Sequence, residues 1–86
     1  MVSKKVTVTN RLGLHARPAG VFVKECAKWD CKVEIRRDEK TIDAKSILGV
    51  LMLKAKCGTE IELICTGDKE QEALDHLSEF MATLPD

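Results

Sequence analysis

The run Gly13-Leu14-His15-Ala16-Arg17-Pro18-Ala19 sets one imidazole and one guanidinium among small and apolar neighbours. Pro18 fits the first turn of a helix, where its missing N–H is no loss. The amide N–H groups of Ala16 and Arg17 then have no intrahelical acceptor and point out of the helix end. Such an end attracts anions, and Arg17 adds a bidentate cation beside it. Its positive potential also disfavours imidazolium, which leaves a ring nitrogen of His15 free to attack phosphorus. Gly13 supplies a backbone that tolerates positive φ just ahead of the histidine. Position alone would fit a solvated or capping histidine. The whole constellation points instead to a nucleophile that takes up and holds a phosphoryl group.

Ser46 and the residues after it form a second unusual stretch. Ser46 is a good N-cap for a short helix over 47–53. Ile47, Leu48, Val50, Leu51, Met52 and Leu53 are too many apolar residues to face inward on two turns. Either the helix is wedged into the core, or it shows an apolar patch that docks onto other proteins. Met52 suits a surface that accepts several partners, and Lys45 and Lys54 would rim it. A phosphate on Ser46 would be stabilised by the helix end, yet would set about two negative charges beside the patch.

These residues need elements to position them. Val6 and Val8 alternate with Thr7 and Thr9, which predicts a strand over 4–9. Ala16, Ala19, Gly20, Val23, Cys26 and Ala27 give the inner stripe of a helix over 16–28, with Phe22 flanking it. Lys24, Glu25 and Lys28 occupy its outer side. Gly20 costs about 1 kcal/mol against Ala in a helix, but permits close approach of a neighbour. Val33 and Ile35 predict a second strand, and Thr41–Asp43 a short third. Between them, Arg37-Asp38-Glu39-Lys40 lacks the glycine that a tight hairpin favours. Ile61, Leu63 and Cys65 predict the fourth strand. Asp68 and Gln71 resemble a capping box. The last helix carries Ala73, Leu77, Phe80, Met81 and Leu84 inward and Glu72, Asp75, His76 and Glu79 outward. On that face His76 reads as an ordinary solvated histidine.

The order β-α-β-β-α-β-α describes an α+β open-faced sandwich, a single domain over residues 1–86 with one modest core. A right-handed crossover from the first strand to the second leaves room for the fourth between them. The expected product is a four-stranded antiparallel sheet with three helices on one face. Apolar residues make up 44% and charged residues 33%, with 14 Lys plus Arg against 14 Asp plus Glu. That balance argues against a nucleic-acid or membrane-surface binder. With no signal-like or membrane-spanning apolar run, the expected location is the cytoplasm. Cys26 and Cys65 fall on inward phases, whereas Cys31 and Cys57 lie near element ends and read as exposed thiols. No CxxC pair occurs, and no metal site is expected.

Leu14-His15-Ala16-Arg17-Pro18-Ala19 together with Lys45-Ser46-Ile47-Leu48-Gly49-Val50 resembles HPr, the histidine-containing phosphocarrier of the bacterial phosphoenolpyruvate:sugar phosphotransferase system. The resemblance covers essentially the whole chain, including its length, its element order and the Gly58 and Gly67 turns. It implies that His15 accepts phosphate from enzyme I on Nδ1 and passes it to IIA domains of sugar permeases. Arg17, with the backbone of Ala16 and Arg17, would hold the transferred group. Leu14, Ala16, Gly20, Lys24, Lys45, Ile47, Leu48, Leu51 and Met52 would meet the partners. Ser46 matches the residue phosphorylated by HPr kinase/phosphorylase, in a form that binds catabolite control protein A while transfer through the histidine weakens. Leu12 departs from the small polar residue of many members, and Asp38-Glu39 from their Asn-Gly turn. The chain is thus expected to be a monomeric carrier, not an enzyme with its own substrate, and to need no cofactor. A paralogue of the nitrogen-related branch, with regulatory acceptors, is the alternative. A binding module that uses only the apolar patch is a third reading, distinguished by whether His15 takes a phosphoryl group.

Overall fold

Alternation in the strands decides which face of the sheet is dry. Val33 and Ile35 in one strand, and Ile61, Leu63 and Cys65 in another, all point inward and are buried. The structure, a computed structural model, describes residues 1–84. Its elements are β1 (Val2–Thr7), α1 (Ala16–Cys26), β2 (Lys32–Arg37), β3 (Lys40–Asp43), α2 (Ile47–Met52), β4 (Glu60–Thr66) and α3 (Glu70–Ala82). The antiparallel sheet runs β1-β4-β2-β3, so the fourth strand fills the gap left by the first crossover. Pairs such as Val6↔Ile61 and Ile35↔Leu63 fix the register that keeps the apolar face on one side. The three helices cover that face. Phe22 of α1, Val50 of α2 and Leu77 and Met81 of α3 meet the sheet residues in one core. Burying a side chain such as Phe22 contributes roughly 1.5–3 kcal/mol.

Several sequence-based expectations shift. Strand β1 ends at Thr7, not at Thr9, because its ladder partner begins at Glu60. Val8 is still buried, now tied by its N–H to the Thr59 carbonyl at 2.9 Å. Phe22 does not flank the α1 stripe but lies at its centre, fully buried, while Ala16 and Ala27 face solvent. The Asp68–Gln71 capping box does not form. Lys69 takes the N-cap position of α3 in the left-handed region (φ 56°), and Glu70 reaches back to accept the Gly67 N–H at 3.0 Å. Gly67 has φ 121°, and this turn points Glu70 rather than Gln71 at the open amide. Phe80 is only half-buried, and Leu84 packs against the core from beyond the end of α3.

The β2–β3 turn solves its missing glycine with one left-handed residue, Asp38 at φ 54°. A short acidic side chain tolerates that conformation better than most. Cys31 is not an exposed thiol. It shares the inward phase of Val33 and Ile35 and is 2% exposed, behind Gly67. Cys26 and Cys65 are buried as expected, and Cys57 is exposed. Burial pushes the Cys65 thiol up to about 11 and raises that of Cys26 as well.

Candidate functional site

The loop from β1 to α1 is built to hold residue 15 still. Gly13 has φ 74°, and a methyl group there would lie 2.5 Å from the Ala55 carbonyl oxygen. No other residue fits that approach. The next N–H, of Leu14, donates to the same carbonyl at 2.8 Å. The Leu14 side chain is 3% exposed and part of the core. It anchors the loop from inside and offers partners no surface, contrary to the docking role expected for it. Its direction follows from the positive φ of Gly13, which sends the chain back over Ala55.

His15 is the N-cap of α1, with extended backbone at φ −84° and ψ −174°. Its carbonyl accepts the first intrahelical bond, from Ala19 N–H at 2.9 Å. Its ring caps nothing. Nε2 is enclosed and has no hydrogen-bond partner, so Nδ1 is the ring nitrogen left accessible. Ala16 and Arg17 fill the first two helical positions, where amide N–H groups have no acceptor four residues back. Pro18 is buried in the third position, where it forfeits no bond. Arg17 is exposed and joins no ion pair among the described residues. One accessible ring nitrogen, two open amides and one exposed guanidinium thus share a single helix end. With its proton on Nε2, the neutral imidazole presents a lone pair on Nδ1. A group bonded there would meet donors and positive potential.

Ser46 caps α2, its Oγ accepting the Gly49 N–H at 3.2 Å. Of the apolar run only Val50 and Leu53 are buried, while Leu51 is half-buried. Ile47, Leu48 and Met52 are 46%, 66% and 56% exposed. The helix therefore shows an apolar patch instead of lying wedged in the core. Gly20 of α1 brings the two motifs together, since a methyl group on it would stand 3.6 Å from Ile47 Cδ1. Lys24 is exposed. Lys45 is no loose rim charge, because its Nζ donates to the Trp29 carbonyl at 2.5 Å.

Two residues hold this arrangement in ways that sequence patterns do not show. Arg37 Nη1 donates to the carbonyls of Leu53 and Lys54 at 2.6 and 2.8 Å, closing the C-terminal end of α2. That contact joins residues 16 and 17 positions apart, so no local spacing signals it. His76 is not an ordinary solvated histidine. Its Nε2 lies 2.5 Å from a Glu25 carboxylate oxygen, and its ring sits 5.7 Å from that of Trp29 and 6.0 Å from that of Phe80. Lys28, first, and His76 hold the Glu25 carboxyl below its ordinary range. The outward phase of α3 is real at this position, but α1 lies alongside and receives the ring.

A family model described as "PTS HPr component phosphorylation site" matches residues 2–83. Phosphocarrier protein HPr of Treponema pallidum (strain Nichols) is 46% identical over 74 residues, 86% of this chain and 84% of that protein. HPr-like protein Crh of Bacillus subtilis (strain 168) is 43% identical over 81 residues, 94% of this chain and 95% of that one. The crystal structure of a phosphocarrier protein HPr from Bacillus anthracis matches the fold with a TM-score of 0.88 at 38% identity, covering 92% and 94% of the two chains. The open-faced sandwich and the family model together define a phosphocarrier-type domain. The chain belongs to the HPr family of the phosphotransferase system.

Proposed function

We propose that this chain accepts a phosphoryl group from phosphorylated enzyme I on Nδ1 of His15 and transfers it to IIA domains of sugar permeases. The observation that carries the reading is the enclosed Nε2, which leaves Nδ1 as the accessible ring nitrogen of the residue that opens α1. The Ala16 and Arg17 N–H groups receive the phosphoryl oxygens, and the Arg17 guanidinium offsets their charge during transfer. Docking uses the exposed Ile47, Leu48 and Met52 with the flanking Gly20 and Lys24. Phosphorylation of Ser46 by HPr kinase/phosphorylase would charge the edge of this patch and redirect the carrier toward catabolite control protein A. The carrier works in the cytoplasm as a monomer, and no helix of the described residues is long and apolar enough to cross a membrane.

The test is incubation with enzyme I and phosphoenolpyruvate, followed by intact mass and acid treatment. The reading requires one acid-labile phosphoryl group on His15. A regulatory role is the second reading, favoured by the 43% identity to the HPr-like protein Crh. It covers the nitrogen-branch alternative and is supported if the phosphoryl group fails to move on to any IIA domain.

A further inference from the structure

Asn10 is a polar side chain in an apolar setting. It is 4% exposed, in the loop between β1 and α1. Its Nδ2 donates to the carbonyl of Leu84 at 3.2 Å, across 74 positions of sequence. Leu84 follows α3 and packs half-buried against the core. An apolar residue would fill the same space without needing a partner, so the amide's distinguishing contribution is directional. The backbone of Asn10 works on the same loop. Its carbonyl accepts the Gly13 N–H at 3.0 Å and so closes the turn ahead of His15.

We infer that Asn10 is a positioning residue, tethering the segment after α3 to the turn that presents His15 as the phosphoryl acceptor. The inference rests on the carrier reading given above. The path from tether to ring has little slack. Gly13 stands so close to Ala55 that even a methyl group would collide, and Leu14 is locked by its own bond to the Ala55 carbonyl and by burial. The Asn10 carbonyl holds the Gly13 N–H directly, so a shift of Asn10 pulls on the residue whose close seat on Ala55 sets the path into Leu14 and His15. The docking patch on α2 lies on a different element and keeps its geometry. The tether thus governs the chemical step more than the binding step.

Two variants break the tether from opposite ends. Asn10→Ala removes the donor, and a chain ending at Thr83 removes the acceptor. Each is expected to lower the maximal rate of His15 phosphorylation by enzyme I about tenfold, the scale of a sub-ångström misplacement, with KM for the carrier unchanged. Combined, they should lower the rate no further than the shortened chain alone, because the Asn10–Leu84 bond is already absent there. The His15 ring resonances in NMR spectra should move in both variants without any enzyme I present. If Asn10→Ala fails to fold, the shortened chain decides. A wild-type chain that takes up no phosphoryl group refutes the carrier reading itself. A wild-type chain that takes it up at the rate of both variants, or ring resonances that stay in place, overturns the tether.

Discussion

At residue 15 the structure separates the two ring nitrogens by enclosure rather than by hydrogen bonding. Nε2 is shut in without a partner. His15→Ala should therefore lose all acid-labile phosphorylation, checked by intact mass after reaction with enzyme I. A half-buried ring that makes no hydrogen bond contributes little to stability, so melting should shift only slightly. Arg17→Ala should keep the nucleophile and slow transfer about ten- to a hundredfold, as expected when one charge-stabilising donor is lost. Rapid-quench measurement of transfer to a IIA domain tests this, and rates equal to wild type would remove Arg17 from the mechanism. Histidine, arginine and proline were readable in the sequence because helix-start chemistry is local. Leu14 was not, since a side chain's direction depends on the φ of the residue before it and on what lies behind the loop. Cys31 is buried rather than exposed because the strand phase continues past the strand end.

Helix α2 combines a serine cap at one end with an arginine clamp at the other. Ser46→Asp preserves the cap, since a carboxylate accepts the same amide and suits the helix N-terminus. It should weaken enzyme I binding by on the order of 2 kcal/mol, because an unpaired charge meets a surface that must be desolvated. Calorimetric titration against wild type, with melts as control, measures it, and equal affinities would place Ser46 outside the interface. The cap and the excess of apolar residues were visible in the sequence, but whether that excess was buried or exposed depended on packing. The junction of α1 and α3 carries a pH effect of its own. Glu25 is held below its ordinary value of 4.5 by Lys28 and then His76. A depressed carboxylate contributes stability that is present above the ordinary value and lost as pH falls through the folded one. Glu25→Gln should therefore flatten the loss of stability below pH 4.5, seen in denaturant melts taken across the acid range.

The sheet order of the whole molecule followed from the right-handed crossover rule and the number of strands, which is why it could be read before any coordinates. Long-range contacts such as Arg37 to α2 and Asn10 to Leu84 obey no such rule, because they arise only when distant segments are already packed. Packing also sorts the four thiols. Cys57 should react with a thiol reagent in the native state, whereas Cys26, Cys31 and Cys65 should label only as the molecule opens. Mass spectra taken through a labelling time course would show one fast adduct, and two or more fast adducts would contradict the packing at Cys31. The tilted contact of His76 with Trp29 has an optical consequence. Trp29 is the only tryptophan, and the chain has no tyrosine, so one indole supplies the useful intrinsic fluorescence. That indole is half-buried against the core, its ring 5.7 Å from the His76 imidazole. It lies beyond the C-terminal end of α1, away from the His15 end. The molecule's own light therefore reports unfolding at one pole and stays nearly constant while chemistry proceeds at the other.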